Sequence, residues 1–199
     1  MCKQCEQNPV YEFTNQRKLC KKCFVRYFQK KVLYTIRKFN MIKKDDVVGY
    51  CKSNYLKGIV LEDILEMVEE KCFVEIKKLP STKDTMTQTA RKLKVNKIAL
   101  PATIDLTSYE VVNDIINGNF EDSIENEFPV EKLGKKSKII KPLYLFLDRE
   151  VLLYAKIKKL KFKKTSIKLD KISKFIDELE KTHPEVKRAI VNSYLKLCD

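Results

Sequence analysis

Residues 47–76 read VVGYCKSNYLKGIVLEDILEMVEEKCFVEI, and this stretch decides the fold class. The apolar run at 47–50 predicts a short buried strand, and the run at 72–76 predicts a second one. Between them, apolar residues recur at helical spacing, at Leu61, Ile64, Leu65 and Val68. A helix between two short strands predicts a right-handed βαβ unit, in which the two strands are parallel.

The same alternation continues towards the C-terminus. We predict a helix over 82–93, a strand over 97–100, a helix from Leu106 to Gly118 and a strand over 138–140. The polar residues 119–138 are expected to form an exposed loop. A further helix is expected to begin with Asp148 as its cap. Together these elements predict an α/β fold with a parallel sheet and helices on both faces.

Two more helices are predicted to finish the chain. Thr182-His183-Pro184-Glu185 matches the capping-box pattern and is expected to open the last helix. His183 is the one histidine of the chain, and this cap explains it better than catalysis, so no Ser-His-Asp or Cys-His set can be assembled. We divide the chain into an N-terminal module with a basic helix (1–44), an α/β domain (45–165) and C-terminal helices (166–199).

Four cysteines form two C-x2-C pairs separated by fourteen residues, at Cys2, Cys5, Cys20 and Cys23. This spacing can place four thiolates around one structural Zn2+, with a short ribbon between the pairs. A basic amphipathic helix is expected from Phe24 onward. Two alternatives stay open: four ordinary thiols, or an iron–sulfur cluster, which four thiolates also suit.

Positive charge is concentrated in two blocks. Residues 1–44 hold 12 Lys or Arg against 2 Asp or Glu, and residues 132–171 hold 14 against 3. Residues 45–131 are acidic, with 10 against 17. Because phosphate backbones bind clustered cations, the two blocks favour a nucleic-acid partner over a merely solvated lysine-rich surface.

Several classes of function are excluded or disfavoured. The chain has four glycines, none adjacent to another, and neither G-x-G-x-x-G nor a Walker A sequence occurs. No run of about 18 apolar residues is present, and no apolar segment follows Met1. We therefore expect no membrane span and no signal peptide, and a cytosolic (cytoplasmic) or nuclear protein with reduced thiols.

Several segments, in order, carry a family resemblance. They are Cys2-x2-Cys5, Gln16–Phe24, Lys31–Ile36, Lys97–Leu100, Ile115–Phe120, Lys141–Leu143 and Asp148–Val151 with Tyr154. This pattern resembles the cytosolic tRNA 2-thiolation proteins. The resemblance implies a PP-loop (adenine nucleotide alpha hydrolase-like) fold, here in reduced form with an N-terminal zinc ribbon.

The departures from the family pattern point to a particular member. The family's glycine-rich S-G-G-K-D-S loop is replaced by Cys51-Lys52-Ser53-Asn54-Tyr55, and its G-H-N-x-D-D segment by Pro101–Leu106. The internal C-x2-C of the catalytic subunit is missing, and Cys51 and Cys72 do not replace it. The chain is therefore most similar to the non-catalytic second subunit of the cytoplasmic thiouridylase heterodimer.

This resemblance implies an accessory subunit of a complex that forms 2-thiouridine at uridine 34 of lysine, glutamate and glutamine tRNAs. Its partners would be tRNA, a catalytic thiouridylase subunit and, through the complex, a thiocarboxylated ubiquitin-like sulfur carrier. Zn2+ would be held by the four cysteines, and ATP is not expected to bind this chain. The expected tRNA contacts are Arg26, Lys30, Lys31, Arg37, Lys38, Lys156, Lys158, Lys159, Lys161, Lys163 and Lys164.

Two other functions stay open at this point. One is a divergent catalytic tRNA thiouridylase that uses ATP through an unrecognised loop. The other is a zinc-ribbon adaptor for RNA or protein. The missing loop disfavours the first, and the basic blocks disfavour a purely protein-binding adaptor.

Overall fold

The computed structural model describes residues 1–80, 83–119, 128–133, 137–164 and 170–197, with the side chains of 83–87 excepted. The strands are β1 (Tyr11–Glu12), β2 (Lys18–Leu19), β3 (Val47–Cys51), β4 (Glu75–Leu79), β5 (Lys97–Ala99), β6 (Val130–Leu133) and β7 (Ser137–Ile140). The helices are α1 (Lys21–Lys38), α2 (Leu56–Cys72), α3 (Lys83–Lys92), α4 (Ile104–Ile116), α5 (Asp148–Ile157), α6 (Lys171–Thr182) and α7 (Val186–Leu197).

The main sheet has five strands in the order β4-β3-β5-β7-β6. Strands β4, β3, β5 and β7 are parallel, as predicted, which confirms the α/β class. The edge strand β6 is antiparallel to β7, so the parallel sheet carries one antiparallel strand at this edge. Lys141, just after β7, forms an ion pair with Glu131 on β6 at 2.5 Å and donates its N–H to the Pro129 carbonyl at 3.0 Å.

Helices cover both faces of the sheet because its apolar side chains alternate along each strand. Val48 and Tyr50 of β3 face a large core that also contains residues of α1, α2 and α5. Leu79, Ala90, Val95 and Ile98 form a smaller core on the other side. Gly49 permits this second packing, since a Cβ there would lie 2.5 Å from Leu79 Cδ1.

The large core is continuous with the N-terminal residues. Phe28 of α1 lies with its ring centroid 4.2 Å from those of Phe146 and Tyr154. Leu19 and Cys20 belong to the same buried cluster. The division of the chain at residue 44 stays a prediction from composition.

Three local predictions were wrong. The run at 72–76 is not one strand, because α2 extends to Cys72 and Phe73 adopts a left-handed conformation (φ 52°), so that β4 begins only at Glu75. Helix α1 begins at Lys21, before Phe24. Residues 119–138 are not all loop: within the described part they include β6 and the first residues of β7.

The two predicted helix caps also differ. Thr182 is the last residue of α6, and its hydroxyl donates to the Leu179 carbonyl at 3.2 Å, so it serves the preceding helix rather than opening α7. The N-cap of α5 is Leu147, whose N–H donates to the Glu150 carboxylate at 2.9 Å. Asp148 is the first helical residue, and its carboxylate accepts instead from the Thr103 hydroxyl at 2.6 Å.

Among the described helices, none combines the length and the apolar character that crossing a bilayer requires.

Candidate metal centre and nucleic-acid interface

Four thiols meet at the N-terminal end of α1. The sulfur atoms of Cys2, Cys5, Cys20 and Cys23 all lie within 4.8 Å of one another. Cys5 Sγ is 3.3 Å from Cys20 Sγ and 3.6 Å from Cys23 Sγ. The Cys5 side chain is exposed, and the other three are buried. The arrangement predicted from the two C-x2-C pairs is therefore present.

Backbone hydrogen bonds hold the two cysteine pairs together. The Cys2 N–H donates to the Gln7 carbonyl at 2.9 Å, and Glu6 (φ 61°) turns the chain back so that its N–H reaches the Cys2 carbonyl. The Lys3 N–H donates to the Lys18 carbonyl at 3.1 Å, which joins the first pair to β2. Cys20 is the N-cap of α1, so the second pair occupies the first turn of a helix.

The spacing of the sulfur atoms fits a single tetrahedral ion. A four-thiolate site with bonds of about 2.3 Å places neighbouring sulfurs ~3.8 Å apart. Burial opposes ionisation of Cys2, but hydrogen bonds to backbone groups of Cys20, Gln4 and Cys5 outweigh it and lower the pKa of Cys2 to about 6. Burial and the neighbouring thiols raise the pKa of Cys23 to about 12. Because a ligand must be a thiolate, a metal bound here would displace a proton from Cys23.

A groove of about 580 Å3, here named the α1 groove, lies between α1 and residues 1–20. It is lined by Gln4, Arg17, Arg26, Tyr27, Lys30, Lys31 and Tyr34. Arg26 and Lys30 are exposed, and neither forms an ion pair within the described part of the chain. Three of the cations predicted to contact tRNA thus share one concave surface.

Lys31 lies in the groove wall, but its ammonium points to the interior. Its side chain is 13% exposed, and Nζ lies 3.3 Å from the fully buried carboxylate of Glu150. Arg188 of α7 reaches the same carboxylate at 3.4 Å. Burial lowers the pKa of Lys31 to about 8, against the opposing effect of Glu150. This ion-pair network joins α1, α5 and α7. Lys31, which was predicted from the sequence to contact tRNA, is therefore paired within the molecule.

The other predicted contacts are more dispersed. Arg37 and Lys38 are exposed in the last turn of α1, where positive charge also favours the helix C-terminus. Lys158 pairs with Asp63 of α2 at 3.2 Å. The Lys163 N–H donates to the Asn54 carbonyl at 2.7 Å, which places this residue beside the loop after β3. The remaining members of the second block are exposed, namely Lys156, Lys159, Lys161 and Lys164.

Open α/β sheets usually bind ligands at the carboxyl ends of two neighbouring strands whose following connections run to opposite sides of the sheet. Here these strands are β3 and β5, because β3 is followed by β4 on one side and β5 by β6 and β7 on the other. A cavity of about 400 Å3 lies there, lined by Lys52, Ser53, Asn54, Lys163 and their neighbours. A phosphate-binding nest needs residues that alternate with left-handed ones, usually glycines. No residue from Cys51 to Tyr55 has a positive φ. The loop therefore lacks the backbone geometry of a phosphate loop.

Close to this cavity, the chain's own carboxylates occupy the helix starts. Asp148 accepts from Lys57 at 2.9 Å and from the Thr103 hydroxyl at 2.6 Å. Asp105 accepts from the Asp148 N–H at 2.7 Å and from Lys187 at 2.6 Å. Lys57 and Lys187 are thus neutralised within the molecule.

The fold matches that of a known tRNA-modifying enzyme. The U34-tRNA thiolase NcsA from Methanococcus maripaludis superposes with a TM-score of 0.82 over 99% of this chain and 86% of that chain, at 19% sequence identity. The NcsA structure contains a [4Fe-4S] cluster. No protein-family model matches this chain, and no curated protein sequence matches it. The likeness to NcsA establishes a shared fold and agrees with the PP-loop-like architecture predicted from the sequence.

Four groove residues were not predicted from the sequence: Gln4, Arg17, Tyr27 and Tyr34. The spacing of Tyr27, Lys30 and Tyr34 along α1 is helical and could have indicated the two tyrosines. Arg17 could not have been found in this way, because only the folding of residues 11–19 into a hairpin brings it to α1.

Proposed function

We propose that this chain is an accessory, non-catalytic subunit of a tRNA thiolation complex that forms 2-thiouridine at uridine 34 of lysine, glutamate and glutamine tRNAs. One observation carries the proposal. The chain keeps the fold of a U34-tRNA thiolase, while the loop after β3 has neither glycines nor a left-handed residue with which to wrap a phosphate.

The four cysteines would hold a structural Zn2+. In a [4Fe-4S] cluster each thiolate binds a different iron, so the sulfurs lie farther apart than around one ion. A group of sulfurs within 4.8 Å favours the single ion. All four positions are protein thiolates, which is the closed coordination of a structural rather than a catalytic site. The ion would fix residues 1–20 against α1 and so keep Arg17 beside Arg26 and Lys30.

The basic surface would bind tRNA phosphates. Arg26, Lys30, Arg37 and Lys38 would contribute from α1, and Lys156, Lys159, Lys161, Lys163 and Lys164 from the second block. Lys158 would contribute less, since Asp63 partly neutralises it. Lys31 would act from within, because its contact with Glu150 holds α1 on α5.

A catalytic subunit would supply the ATP chemistry and receive sulfur from the ubiquitin-like carrier. In this view the chain works in the cytoplasm as one half of a heterodimer, and its cation-lined surface adds to the grip on tRNA. The neutralised helix starts at Asp105 and Asp148 support this division of labour, because an anionic nucleotide would meet carboxylates there.

The test has two measurements on the purified, metal-loaded chain. Affinity for full-length tRNA is measured at several salt concentrations, for wild type and for a variant with Arg26, Lys30, Arg37 and Lys38 changed to Gln. Each lost phosphate contact should lower the slope of log K against log salt by about one. ATP binding is measured by calorimetry, and none is expected.

Each outcome selects among the functions considered. Unchanged tRNA affinity and salt slope in the quadruple variant would remove the tRNA-binding role. Saturable ATP binding with adenylation of tRNA by the isolated chain would establish a catalytic thiouridylase instead. Absence of any RNA binding, with a protein partner recovered from the source cell, would leave the protein adaptor.

A further inference from the structure

Arg17 of the α1 groove has a buried donor for which the described residues supply no acceptor. Its guanidinium carbon lies 4.1 Å from the centroid of the Phe13 ring and 5.3 Å from that of Tyr27. Nε is buried and has no hydrogen-bond partner within the described part of the chain. No carboxylate among the described residues pairs with the guanidinium. A buried N–H without a hydrogen-bond partner is costly. A bound ligand that supplies an acceptor would remove this cost.

The two rings hold the guanidinium in a fixed orientation. Arginine stacks on aromatic faces while its planar group still presents several N–H donors, a geometry that matches a phosphate. Arg26 and Lys30 line the same groove, separated by one helical turn of α1. The groove therefore offers one pre-oriented cation and two exposed ones, unpaired among the described residues, to a single anionic group.

Tyr34 adds an aromatic surface to this cluster. It is 51% exposed although it is a large ring on a helix that packs against the core. It follows Lys30 by one turn, so the ring continues the row formed by Arg26 and Lys30. Cations beside an exposed aromatic ring are the features with which proteins bind unpaired nucleotides, through the phosphate and the face of the base.

We propose that the α1 groove is a subsite for one unpaired nucleotide of RNA. Arg17 binds its phosphate together with Arg26 and Lys30, and Tyr34 stacks on its base. The ligand class is thus a single-stranded RNA loop and not a duplex, whose bases stay stacked on each other. The inference rests on the proposed function in one respect, which is that the chain contacts RNA.

The experiment measures binding of two labelled probes, a short single-stranded oligouridine and a blunt RNA duplex, by fluorescence anisotropy. The variants are Arg17→Gln, Tyr34→Ala and Tyr34→Phe in the metal-loaded chain. The matched control for charge is Lys71→Gln, an exposed cation in the last turn of α2. Bound metal and thermal midpoint are recorded for every variant, so that loss of folding is recognised.

We expect Tyr34→Ala to weaken binding of the single strand about tenfold without changing the salt slope, because stacking is not electrostatic. Tyr34→Phe keeps the ring and should bind like wild type. Arg17→Gln should weaken binding about tenfold and lower the salt slope by about one. Duplex binding should respond to Arg17→Gln less than single-strand binding does, and to Tyr34→Ala not at all.

Failure of this subsite can be told apart from failure of the proposed function. If Tyr34→Ala binds the single strand like wild type, the subsite is refuted, while loss of tRNA binding in the quadruple α1 variant would still support the tRNA role. Equal losses on duplex and single strand would also refute it. If Arg17→Gln loses its metal, the Tyr34 pair alone decides, because that exposed side chain has little part in folding.

Discussion

The α1 groove and the carboxyl edge of the sheet both carry lysines or arginines, but at the edge two of them, Lys57 and Lys187, are neutralised by carboxylates of the chain itself. At the carboxyl edge, Lys57 pairs with Asp148 and Lys187 with Asp105 and Asp177. In the groove, Arg26 and Lys30 have no carboxylate partner among the described residues.

This difference separates net charge from binding capacity. A formal charge of +14 indicates an anionic partner, but it does not say where the partner binds. Intramolecular pairing neutralises Lys158 of the second basic block, and Lys57 and Lys187 at the carboxyl edge. The surface next to the cysteines stays cationic and accessible at Arg26 and Lys30, as do the exposed lysines of the second block that form no ion pair among the described residues.

The largest expected effect comes from the metal site, which lies next to the groove and far from the carboxyl edge in sequence. Cys5→Ser or Cys23→Ser should abolish binding of one ion per chain, because each removes one of the four thiolate ligands. Folding of the N-terminal residues should suffer as well, since structural Zn2+ contributes about 10 kcal/mol or more to folding of small modules at pH 7. RNA binding through the groove should fall with the metal. Metal content is measured by mass spectrometry and RNA affinity by anisotropy.

Cys72→Ser is the control for these variants, since Cys72 lies outside the four-sulfur group. It should keep full metal content and wild-type RNA affinity. Retention of one ion per chain in Cys23→Ser would contradict the assignment of Cys23 as a ligand.

The second effect concerns the ion pairs of Glu150 with Lys31 and Arg188, which connect α1 to α5 and α7. Glu150→Gln leaves the Lys31 and Arg188 charges without a buried counter-charge, which typically costs about 3–5 kcal/mol. Urea denaturation measures the loss. Glu12→Gln, at the exposed pair with Lys18, should change the free energy of unfolding by about 1 kcal/mol or less. Equal changes for the two variants would argue against a structural role for Glu150.

The third prediction compares one lysine substitution at the carboxyl edge with one in the groove. Lys57→Gln should lower the free energy of unfolding by about 1 kcal/mol or less and leave RNA affinity unchanged, since Asp148 already neutralises Lys57. Lys30→Gln should do the opposite, with weaker RNA binding and unchanged stability. Weaker RNA binding in Lys57→Gln would show that the carboxyl edge also contacts RNA.

The fourth prediction concerns the pH dependence that Lys31 gives to the free energy of unfolding. Burial lowers the pKa of Lys31 from its ordinary 10.5 to about 8 in the folded chain. Between these values the unfolded chain binds more protons, so raising the pH favours folding. The free energy of unfolding of wild type relative to Lys31→Met should therefore rise from pH 8 to pH 10. Urea denaturation of both proteins across that range tests it, and a falling difference would contradict the burial of Lys31.

Local patterns in the sequence predicted the features that depend on local spacing. The two C-x2-C pairs and the alternation of strands and helices are examples. The edge strand β6 was missed because its polar sequence at 130–133 forms a strand only by pairing with β7. Lys31 was placed on the RNA surface because its partner Glu150 lies 119 residues away. The capping-box pattern at Thr182 predicted a helix start, but the Thr182 hydroxyl donates to a carbonyl of the preceding helix.

The hydrogen bond from the Lys163 N–H to the Asn54 carbonyl has a practical consequence. It ties an amide of the second basic block to the loop that follows β3. In a proton–nitrogen correlation spectrum this single resonance would report on both regions. A ligand that enters the cavity at the carboxyl edge would shift it, whereas RNA held only in the groove would leave it in place.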